Sequence, residues 1–228
     1  MPPERKPILC YVTDRRALTT AHPPTNAIDG ASIPRLRSAI QKAAASGANW
    51  IQIREKDLEG GALIDLARLA VTDTHEHGTR IFINDRMDVA IAVNAAGVHL
   101  GEHSLPLEAV ARWRRRTRGT NFQIGVSCHS LKAARSAELA GADYIYFGPI
   151  FATPSKAAFG PPQGIEKLHE VCVTLKIPVL AIGGVTFENA RTCLEAGAAG
   201  IAAIRLFQDA TDTCELAERV HALARGST

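Results

Sequence analysis

The chain has 228 residues, of which 46% are hydrophobic and 21% charged, and its formal net charge is +3. This length can bury one sizeable core, and the composition is that of an ordinary globular protein. So small a net charge gives no reason to expect nucleic acid or a membrane as the main partner. The five cysteines are scattered without a Cys-x-x-Cys pair, which predicts reduced thiols in a cytoplasmic protein. The apolar run at residues 8–12 is too short for a signal peptide or a membrane span.

Short apolar runs alternate with helical patterns along the chain. Strands are predicted, in chain order, at residues 8–12, 50–54, 80–84, 97–100, 122–127, 144–147, 178–182 and 200–204. The helical patterns that follow them cover residues 33–45, 62–77, 87–93, 107–116, 131–140, 165–175, 187–196 and 211–224. Glycines such as Gly47, Gly78, Gly141 and Gly197 follow these patterns, as is typical of helix C-termini.

Eight strand–helix units in this length predict an α/β protein, a (β/α)8 TIM barrel formed by a single domain over residues 1–228. The competing architecture is a doubly wound open sheet. That fold normally carries a glycine-rich turn after its first strand, and the stretch Tyr11-Val-Thr-Asp-Arg15 contains no glycine.

Polar side chains occupy an unexpected place in the stretch Gln52-Ile-Arg-Glu-Lys56, at the end of the second predicted strand. Strand alternation would put Gln52, Arg54 and Lys56 on one face and the isoleucines on the other. Cations on a face of a parallel sheet are costly unless an anion meets them. The stretch therefore predicts an anion-binding site, with a strand end fraying into solvent as the alternative.

Barrel active sites are built where strands end. Arg54 is the last residue of a predicted strand, and the cations Lys56, Lys156 and Arg205 lie beyond the ends of predicted strands. Their excess over Asp85 and Glu102 suits a substrate with several phosphate charges. Gly183-Gly184 and Ile204-Arg205 follow the last two strands, where barrels often hold a phosphate, although the glycines could form only a tight turn. Asp85 is a candidate Mg²⁺ ligand, or alternatively a helix cap.

Two long connections, residues 14–32 and 149–164, interrupt the regular pattern. Long irregular loops are usually lids or disordered segments. The second one carries Thr153-Pro-Ser-Lys156, side chains suited to an anion, and we therefore expect it to act as a lid.

Six segments together resemble the family of thiamine-phosphate synthase and its sister, the thiazole tautomerase. They are Gln52-Ile-Arg-Glu-Lys56, Ile83-Asn-Asp-Arg86, Gly97-Val-His-Leu-Gly101, Gly125-Val-Ser127 with His129-Ser130, Phe147-Gly-Pro-Ile-Phe151 leading into Thr153-Pro-Ser-Lys156, and Ala181-Ile-Gly-Gly-Val185. The resemblance runs in order from about residue 8 to residue 219. It implies a (β/α)8 barrel that joins a hydroxymethylpyrimidine diphosphate to a thiazole phosphate and releases pyrophosphate with Mg²⁺.

The resemblance also implies a set of site residues. Diphosphate would leave first, and the thiazole nitrogen would capture a pyrimidine carbocation, which calls for charge neutralisation rather than a covalent nucleophile. The pyrimidine diphosphate would be held by Gln52, Arg54, Lys56, Asn84, Ser127 and Lys156. Mg²⁺ would be held by Asp85. The thiazole phosphate would be held by Thr153, Ser155, Gly184 and the backbone of Ile204 and Arg205.

The sequence departs from the family pattern at three positions. Ser104 stands where a second metal-binding Asp is expected, which puts Mg²⁺ binding in question unless Glu102 or a substrate phosphate compensates. Arg205 stands where a small Ser is usual, and its guanidinium could add a charged contact or obstruct the thiazole side. Cys128 lies in a variable position of the fifth-strand motif.

His129 is the residue on which the alternative function depends, because in the tautomerase a histidine here would move the proton that aromatises the thiazole. A non-catalytic binder of thiazole phosphate is the other alternative. The diphosphate contacts favour the synthase over the tautomerase, and the binder stays open. The basic run Arg112-Trp-Arg-Arg-Arg-Thr-Arg118 is better explained as a solvated helix end than as a nucleic-acid site. The sequence leaves the oligomeric state open, a homo-oligomer included.

Overall fold

The computed structural model describes residues 6–18, 32–101, 104–117, 121–153, 161–210 and 213–223. Eight strands run through these residues, and in each of them at least half of the residues are buried. They are β1 (Ile8–Val12), β2 (Trp50–Ile53), β3 (Arg80–Asn84), β4 (Gly97–Leu100), β5 (Gln123–Cys128), β6 (Tyr144–Phe147), β7 (Val179–Ile182) and β8 (Gly200–Ala203).

Helices follow the strands in the alternation expected of parallel β/α units. The helices of the described part are α1 (Ser32–Ala45), α2 (Gly60–Thr74), α3 (Met87–Ala92), α4 (Leu107–Thr117), α5 (Leu131–Ala140), α6 (Gly164–Thr174), α7 (Phe187–Glu195), α8 (Arg205–Gln208) and α9 (Thr213–Leu223). Short 3₁₀ turns occupy Arg15–Leu18 and His75–His77. None of the helices in these ranges is both long and apolar enough to cross a membrane.

The eight strands close into one parallel barrel in sequence order. Closure is made by β1 and β8, whose register pairs Leu9 with Ile201. Because the strands are parallel, their carboxyl ends and the loops that follow meet at one rim, which we call the mouth. The predicted (β/α)8 TIM barrel is thus confirmed, and the doubly wound open sheet is excluded.

Side-chain alternation divides the apolar residues into two cores. The outer core lies between strands and helices and contains residues such as Ile51, Ile53 and Ile83. The inner core fills the barrel with Cys10, Val12, Trp50, Phe82, Tyr144, Tyr146, Leu180 and Ala202. The barrel interior is therefore packed below the mouth and leaves no open channel through these described side chains.

Gly125 makes the packing of the inner core possible. It pairs with Tyr144 in the β5–β6 register, and a Cβ atom at Gly125 would overlap the Tyr144 ring. Tyr144 in turn packs against Trp50 at a ring separation of 4.7 Å and against Phe82 at 5.4 Å. The lack of a side chain at Gly125 on β5 thus leaves room for the ring of Tyr144 on β6.

The predicted elements agree with the structure except at their ends. Strands β1, β3, β4 and β6 match the prediction at both ends. Strand β2 ends at Ile53 rather than Arg54, and β8 ends at Ala203 because α8, which the pattern did not predict, begins two residues later. Gly78 and Gly141 adopt the left-handed conformation expected of C-caps.

Candidate active site at the mouth of the barrel

Gln52 and Asn84 lie together at the mouth, on neighbouring strands β2 and β3. Gln52 is only 2% exposed, and its Nε2 atom donates to Asn84 Oδ1 at 2.8 Å. Asn84 Nδ2 in turn donates to Asp85 Oδ2 at 2.7 Å. The structure therefore brings three of the predicted site residues into one hydrogen-bonded row.

This row has a fixed direction. The NH₂ group of Asn84 donates to the Asp85 side chain, so the carbonyl oxygen of Asn84 is the atom that faces Gln52. Gln52 must then offer its own NH₂ group to Asn84. Its carbonyl oxygen, Oε1, is left buried and finds no hydrogen-bond partner among the described residues.

Asp85 points towards the β4 end and does not cap a helix. Its Oδ1 atom accepts from the backbone N–H of Gly101 at 3.2 Å and from the Ser104 hydroxyl. Helix α3 has Arg86 at its N-cap, with no side-chain cap bond. The backbone φ of Asp85 is 60°, a left-handed value that is uncommon for a residue other than glycine and that often occurs at functional sites. The helix-cap alternative for Asp85 is thus wrong.

The oxygens around Asp85 are of the kind that Mg²⁺ prefers. Ser104 contacts the Asp85 carboxylate, which is the place that the resemblance assigns to a second acid. The described residues contain no cluster of three or more His, Cys, Asp or Glu side chains that could hold a metal ion. Mg²⁺ typically takes one or two protein carboxylates and completes its coordination with water and substrate phosphates, and the Asp85 carboxylate is a ligand of that kind.

His99 lies beneath the mouth, inside the barrel on β4. Its Nε2 atom is 2.9 Å from the hydroxyl of Ser127, and its ring stacks on Tyr146 at 4.0 Å. Burial lowers the pKa of His99 to about 3, so the imidazole is neutral. The negative charge of Asp85 raises this pKa and the positive charge of Arg54 lowers it, each by less than burial does.

Arg54 and Lys56 follow β2 in a turn. Arg54 is half-buried, and its backbone N–H donates to the Thr13 hydroxyl at 2.9 Å. Lys56 is exposed in the turn, beyond the last strand residue Ile53. Strand alternation therefore explains why Gln52 points into the barrel. It does not apply to Lys56, which lies beyond the end of the strand, so the expectation that Gln52, Arg54 and Lys56 share one face is corrected for Lys56.

His129 lies just beyond β5 and is exposed. Its Nδ1 atom contacts the carbonyl oxygen of Gly148, and because a carbonyl oxygen only accepts, Nδ1 carries a hydrogen and donates it in this bond. Cys128 beside it is buried in the outer core, where burial raises the pKa of its thiol to about 12. The two side chains do not form a nucleophile–base pair.

Gly183 and Gly184 have positive φ values of 91° and 68° after β7. A Cβ atom on Gly183 would lie 2.6 Å from Pro149 Cα, and one on Gly184 would lie 2.8 Å from Phe151 Cβ. Backbone bonds tie the same segments together, from Phe151 N–H to the Gly183 carbonyl oxygen at 3.0 Å. Because the two glycines have no side chains, the loop after β6 can pack directly against the turn after β7. The described part of that loop ends at Thr153, which is half-buried.

The remaining predicted phosphate ligands lie at the start of α8. Ile204 is its N-cap and packs against the inner core, whereas Arg205 is exposed. Arg205 lines an outward groove of about 360 Å³ together with Thr186 and Arg219. The Arg205 side chain is exposed along this groove rather than buried inside the barrel. Lys156, Ser155 and Glu102 lie outside the described residues, as does the middle of the expected lid.

Two features of the site were not predicted from the sequence. One is His99 as the partner of Ser127, although alternation on β4 would have turned it inward. The other is a buried ion pair between Arg15 and Glu55, at 2.9 Å, beside the Arg54 turn. The sequence could have suggested that Glu55, if buried, needs a cation beside it. It could not identify Arg15 as that cation, because the distance between the loops after β1 and β2 cannot be read from the sequence.

Comparison with known proteins gives a consistent result. The family model described as thiamine monophosphate synthase matches residues 26–207. A putative thiamine-phosphate synthase from Geobacter sulfurreducens is 44% identical, over 82% of this chain and 86% of its own. A thiamine-phosphate synthase from Chlorobium luteolum is 39% identical, over 95% and 92%.

A solved structure shares both fold and sequence with this chain. The thiamine phosphate pyrophosphorylase from Pyrococcus furiosus superposes with a TM-score of 0.79 at 31% identity and covers 97% of each chain. The relatives named here carry synthase or pyrophosphorylase names, which does not favour the tautomerase alternative. The matched residues include β2, β3, β5 and β7, whose ends build the mouth. The chain therefore belongs to the thiamine monophosphate synthase family.

Proposed function

We propose that this protein is a thiamine-phosphate synthase. It would join 4-amino-2-methyl-5-hydroxymethylpyrimidine diphosphate to a thiazole phosphate and form thiamine phosphate and pyrophosphate. Family membership supports the activity, and the geometry of the mouth supports the substrates. The protein acts on small phosphorylated molecules in this proposal, with Mg²⁺ as cofactor.

The observation that carries the proposal is the buried carbonyl oxygen of Gln52, which has no hydrogen-bond partner among the residues that the structure describes. A buried acceptor without a partner costs about 1–3 kcal/mol, which a bound donor can recover. The direction of the Asp85–Asn84–Gln52 row makes Gln52 an acceptor towards the ligand. An exocyclic amino group on a planar ring is such a donor. The row therefore supports an aminopyrimidine as the group bound deepest in the mouth.

The cations near this ring suit a diphosphate leaving group. Arg54 lies half-buried at the rim, and Lys56 follows two residues later. We assign both to the diphosphate, together with Lys156 from the loop after β6. As the C–O bond breaks, its electron pair leaves with the diphosphate, and positive charge close to these oxygens stabilises the departing group. The thiazole nitrogen then donates its lone pair to the pyrimidine methylene carbon.

Asp85 would hold Mg²⁺, which neutralises further diphosphate charge when bound. Ser127, fixed by His99, and Asn84 would position the pyrimidine ring. We assign the thiazole phosphate to the opposite side of the mouth, between the loops after β6, β7 and β8. Thr153, Ser155, Gly184 and the backbone of Ile204 and Arg205 would contact it there.

A direct assay tests the proposal. The purified protein is mixed with both phosphorylated substrates and Mg²⁺, and pyrophosphate and thiamine phosphate are followed. We expect equimolar formation of the two products. If neither product forms with either tautomer of the thiazole phosphate, the synthase assignment is wrong. Tautomer exchange that is lost in His129→Ala would then establish the sister activity, and binding without exchange would indicate a non-catalytic protein.

Gln52→Glu tests the observation behind the proposal. The new carboxylate would face the carbonyl oxygen of Asn84, which disrupts the row at almost constant volume. We expect kcat/KM to fall by about 100-fold or more, as for other misdirected polar groups at a reacting centre. Gln41→Glu is the matched control, because Gln41 also donates to a side-chain oxygen, that of Asp73 at 3.0 Å, but on the outer helices. Unchanged kcat/KM in Gln52→Glu would contradict the assigned role.

A further inference from the structure

A buried ion-pair network joins the loops after β1 and β2. The Arg15 guanidinium contacts Glu55 at 2.9 Å and both oxygens of Asp57 at 2.6 Å. The side chains of Arg15 and Glu55 are 4% and 2% exposed. Hydrogen bonds from Arg15 hold the pKa of Asp57 well below its usual range. The two carboxylates flank Lys56 in the chain, so Arg15 binds the turn on both sides of that lysine.

Further bonds converge on the same turn. The Thr13 hydroxyl accepts from the backbone N–H of Arg54 at 2.9 Å and donates to Glu55 Oε1 at 2.7 Å. The backbone N–H of Arg15 lies 3.2 Å from each Glu55 oxygen. Each group in the network therefore fixes the backbone that carries Arg54 and Lys56.

The other side of the first loop is fixed as well. Gln208, the last residue of α8, donates to the carbonyl oxygen of Asp14 and to the Tyr11 hydroxyl, both at 2.9 Å. The segment 13–18 consequently lies between the Arg54–Lys56 turn and α8, whose start is assigned to the thiazole phosphate.

A buried ion pair is a poor source of stability, because desolvation of the two charges offsets their attraction. Its value lies in geometry, since a forked guanidinium held by two carboxylates has little freedom. We propose that Arg15, together with Glu55 and Asp57, is a positioning residue for diphosphate binding. It acts through Arg54 and Lys56, whose turn it holds at the mouth. The inference rests on the synthase function proposed above.

Two variants that keep Glu55 paired test this role. Asp57→Asn removes the outer carboxylate, which is 34% exposed, and leaves the Arg15–Glu55 pair in place. Arg15→Lys keeps the charge but loses the fork. We expect each to weaken pyrophosphate binding, measured calorimetrically with Mg²⁺, by about tenfold, and to raise KM for the pyrimidine diphosphate similarly. The KM for thiazole phosphate should change by less than about threefold in Asp57→Asn.

Asp73→Asn is the matched control. Asp73 accepts two bonds from Arg37, at 2.6 and 3.0 Å, in an ion pair of the same kind between α1 and α2. It should alter thermal stability and leave pyrophosphate binding unchanged.

A double variant distinguishes positioning from general destabilisation. In an Arg54→Ala background, Asp57→Asn should have little further effect on pyrophosphate affinity, because residues acting as one unit are not additive. Full multiplication of the two effects, or unchanged affinity in both single variants, would overturn the inference while wild-type turnover stands. If the wild-type protein itself neither binds pyrophosphate nor forms product, the proposed function falls and the inference falls with it.

Discussion

In the proposed function, Ser104 would influence how Mg²⁺ is held, because its hydroxyl contacts the carboxylate of Asp85, which we assign to the metal. Ser104→Asp would place two carboxylates side by side, which repel each other without a cation and attract one strongly. We expect the affinity for Mg²⁺ in the presence of pyrophosphate to rise about tenfold. Calorimetry and the Mg²⁺-dependent shift in melting temperature measure this. Ser104→Asn is the uncharged control, and unchanged Mg²⁺ dependence in Ser104→Asp would show that Ser104 is not beside the ion.

His99 links the mouth to stability in acid. The buried imidazole has a pKa of about 3, below its ordinary value of 6.5, so between these limits the unfolded chain binds a proton that the folded protein does not. Stability is therefore complete above about pH 6.5 and falls as pH decreases, by up to about 1.4 kcal/mol per pH unit from this group.

His99→Gln should remove this contribution. We expect the free energy of unfolding, from urea titrations between about pH 4 and 6.5 in EDTA, to depend less steeply on pH than in the wild type. His77→Gln, a change at an exposed histidine, should keep the wild-type slope. If the free energy of unfolding depends equally steeply on pH in His99→Gln and in the wild type, then the neutral buried imidazole of His99 is not the cause of the pH dependence.

At the residue scale, the sequence predicts where a side chain lies when that residue belongs to a strand. Gln52 and Asn84 follow from alternation and from neighbouring strands, and the structure places them 2.8 Å apart. The partnership of Arg15 with Glu55 could not be predicted, because both residues leave their strands before they meet. Lys56 was misplaced for the same reason, since the period of a strand does not continue into a turn.

At the scale of elements, the loop after β6 and the turn after β7 form one unit. Gly183→Ala would combine an unfavourable positive φ with a clash against Pro149. The φ cost alone is about 1–2 kcal/mol, and displacement of the loop should add to it. We expect stability to fall by about 2 kcal/mol or more and KM for the thiazole phosphate to rise, because the loop leads to Thr153. Chemical denaturation and steady-state kinetics measure the two effects.

Gly78→Ala is the control for backbone strain. Its φ is 68°, and no atom of the described part of the chain lies within 4 Å of an added Cβ atom. It should lose about 1 kcal/mol and keep wild-type kinetics. If Gly183→Ala behaves in the same way, the glycine serves only the turn and not the loop packed on it.

Element boundaries were predictable where the residue pattern changes sharply, as at Gly141 after α5. The short helix α8 was not predictable, because four residues are too few to show a helical period. Its presence also ends β8 one residue earlier than expected.

For the whole molecule, closure of the barrel implies one cooperative unit. Trp50 lies in the inner core, and Trp113 lies on α4 against Phe122. Because every strand is paired on both sides, we expect the inner core and the outer helices to unfold together. The variant Trp113→Phe keeps Trp50 as the fluorescent probe, and Trp50→Phe keeps Trp113. In each variant, the unfolding midpoint measured by tryptophan fluorescence should coincide with the midpoint measured by circular dichroism. Separate midpoints in either variant would contradict a single domain.

The closed topology followed from the count of strand–helix units, whereas the register and the contents of the barrel did not. Period-2 alternation says which residues turn inward, but the stagger between strands decides which of them share a layer. The stacking of His99 on Tyr146 and the fit of Tyr144 beside Gly125 both depend on that stagger.

The Gly125–Tyr144 pair carries a consequence for the history of the family. A side chain at residue 125 would bring its Cβ atom to 2.1 Å from Tyr144 Cζ, so the two positions cannot vary independently. A relative that gains a side chain at the equivalent of residue 125 should have a smaller residue at the equivalent of residue 144. An alignment of family sequences would show such coordinated substitutions at the two positions. It would thereby reveal how the packing inside the barrel changed as the family diverged.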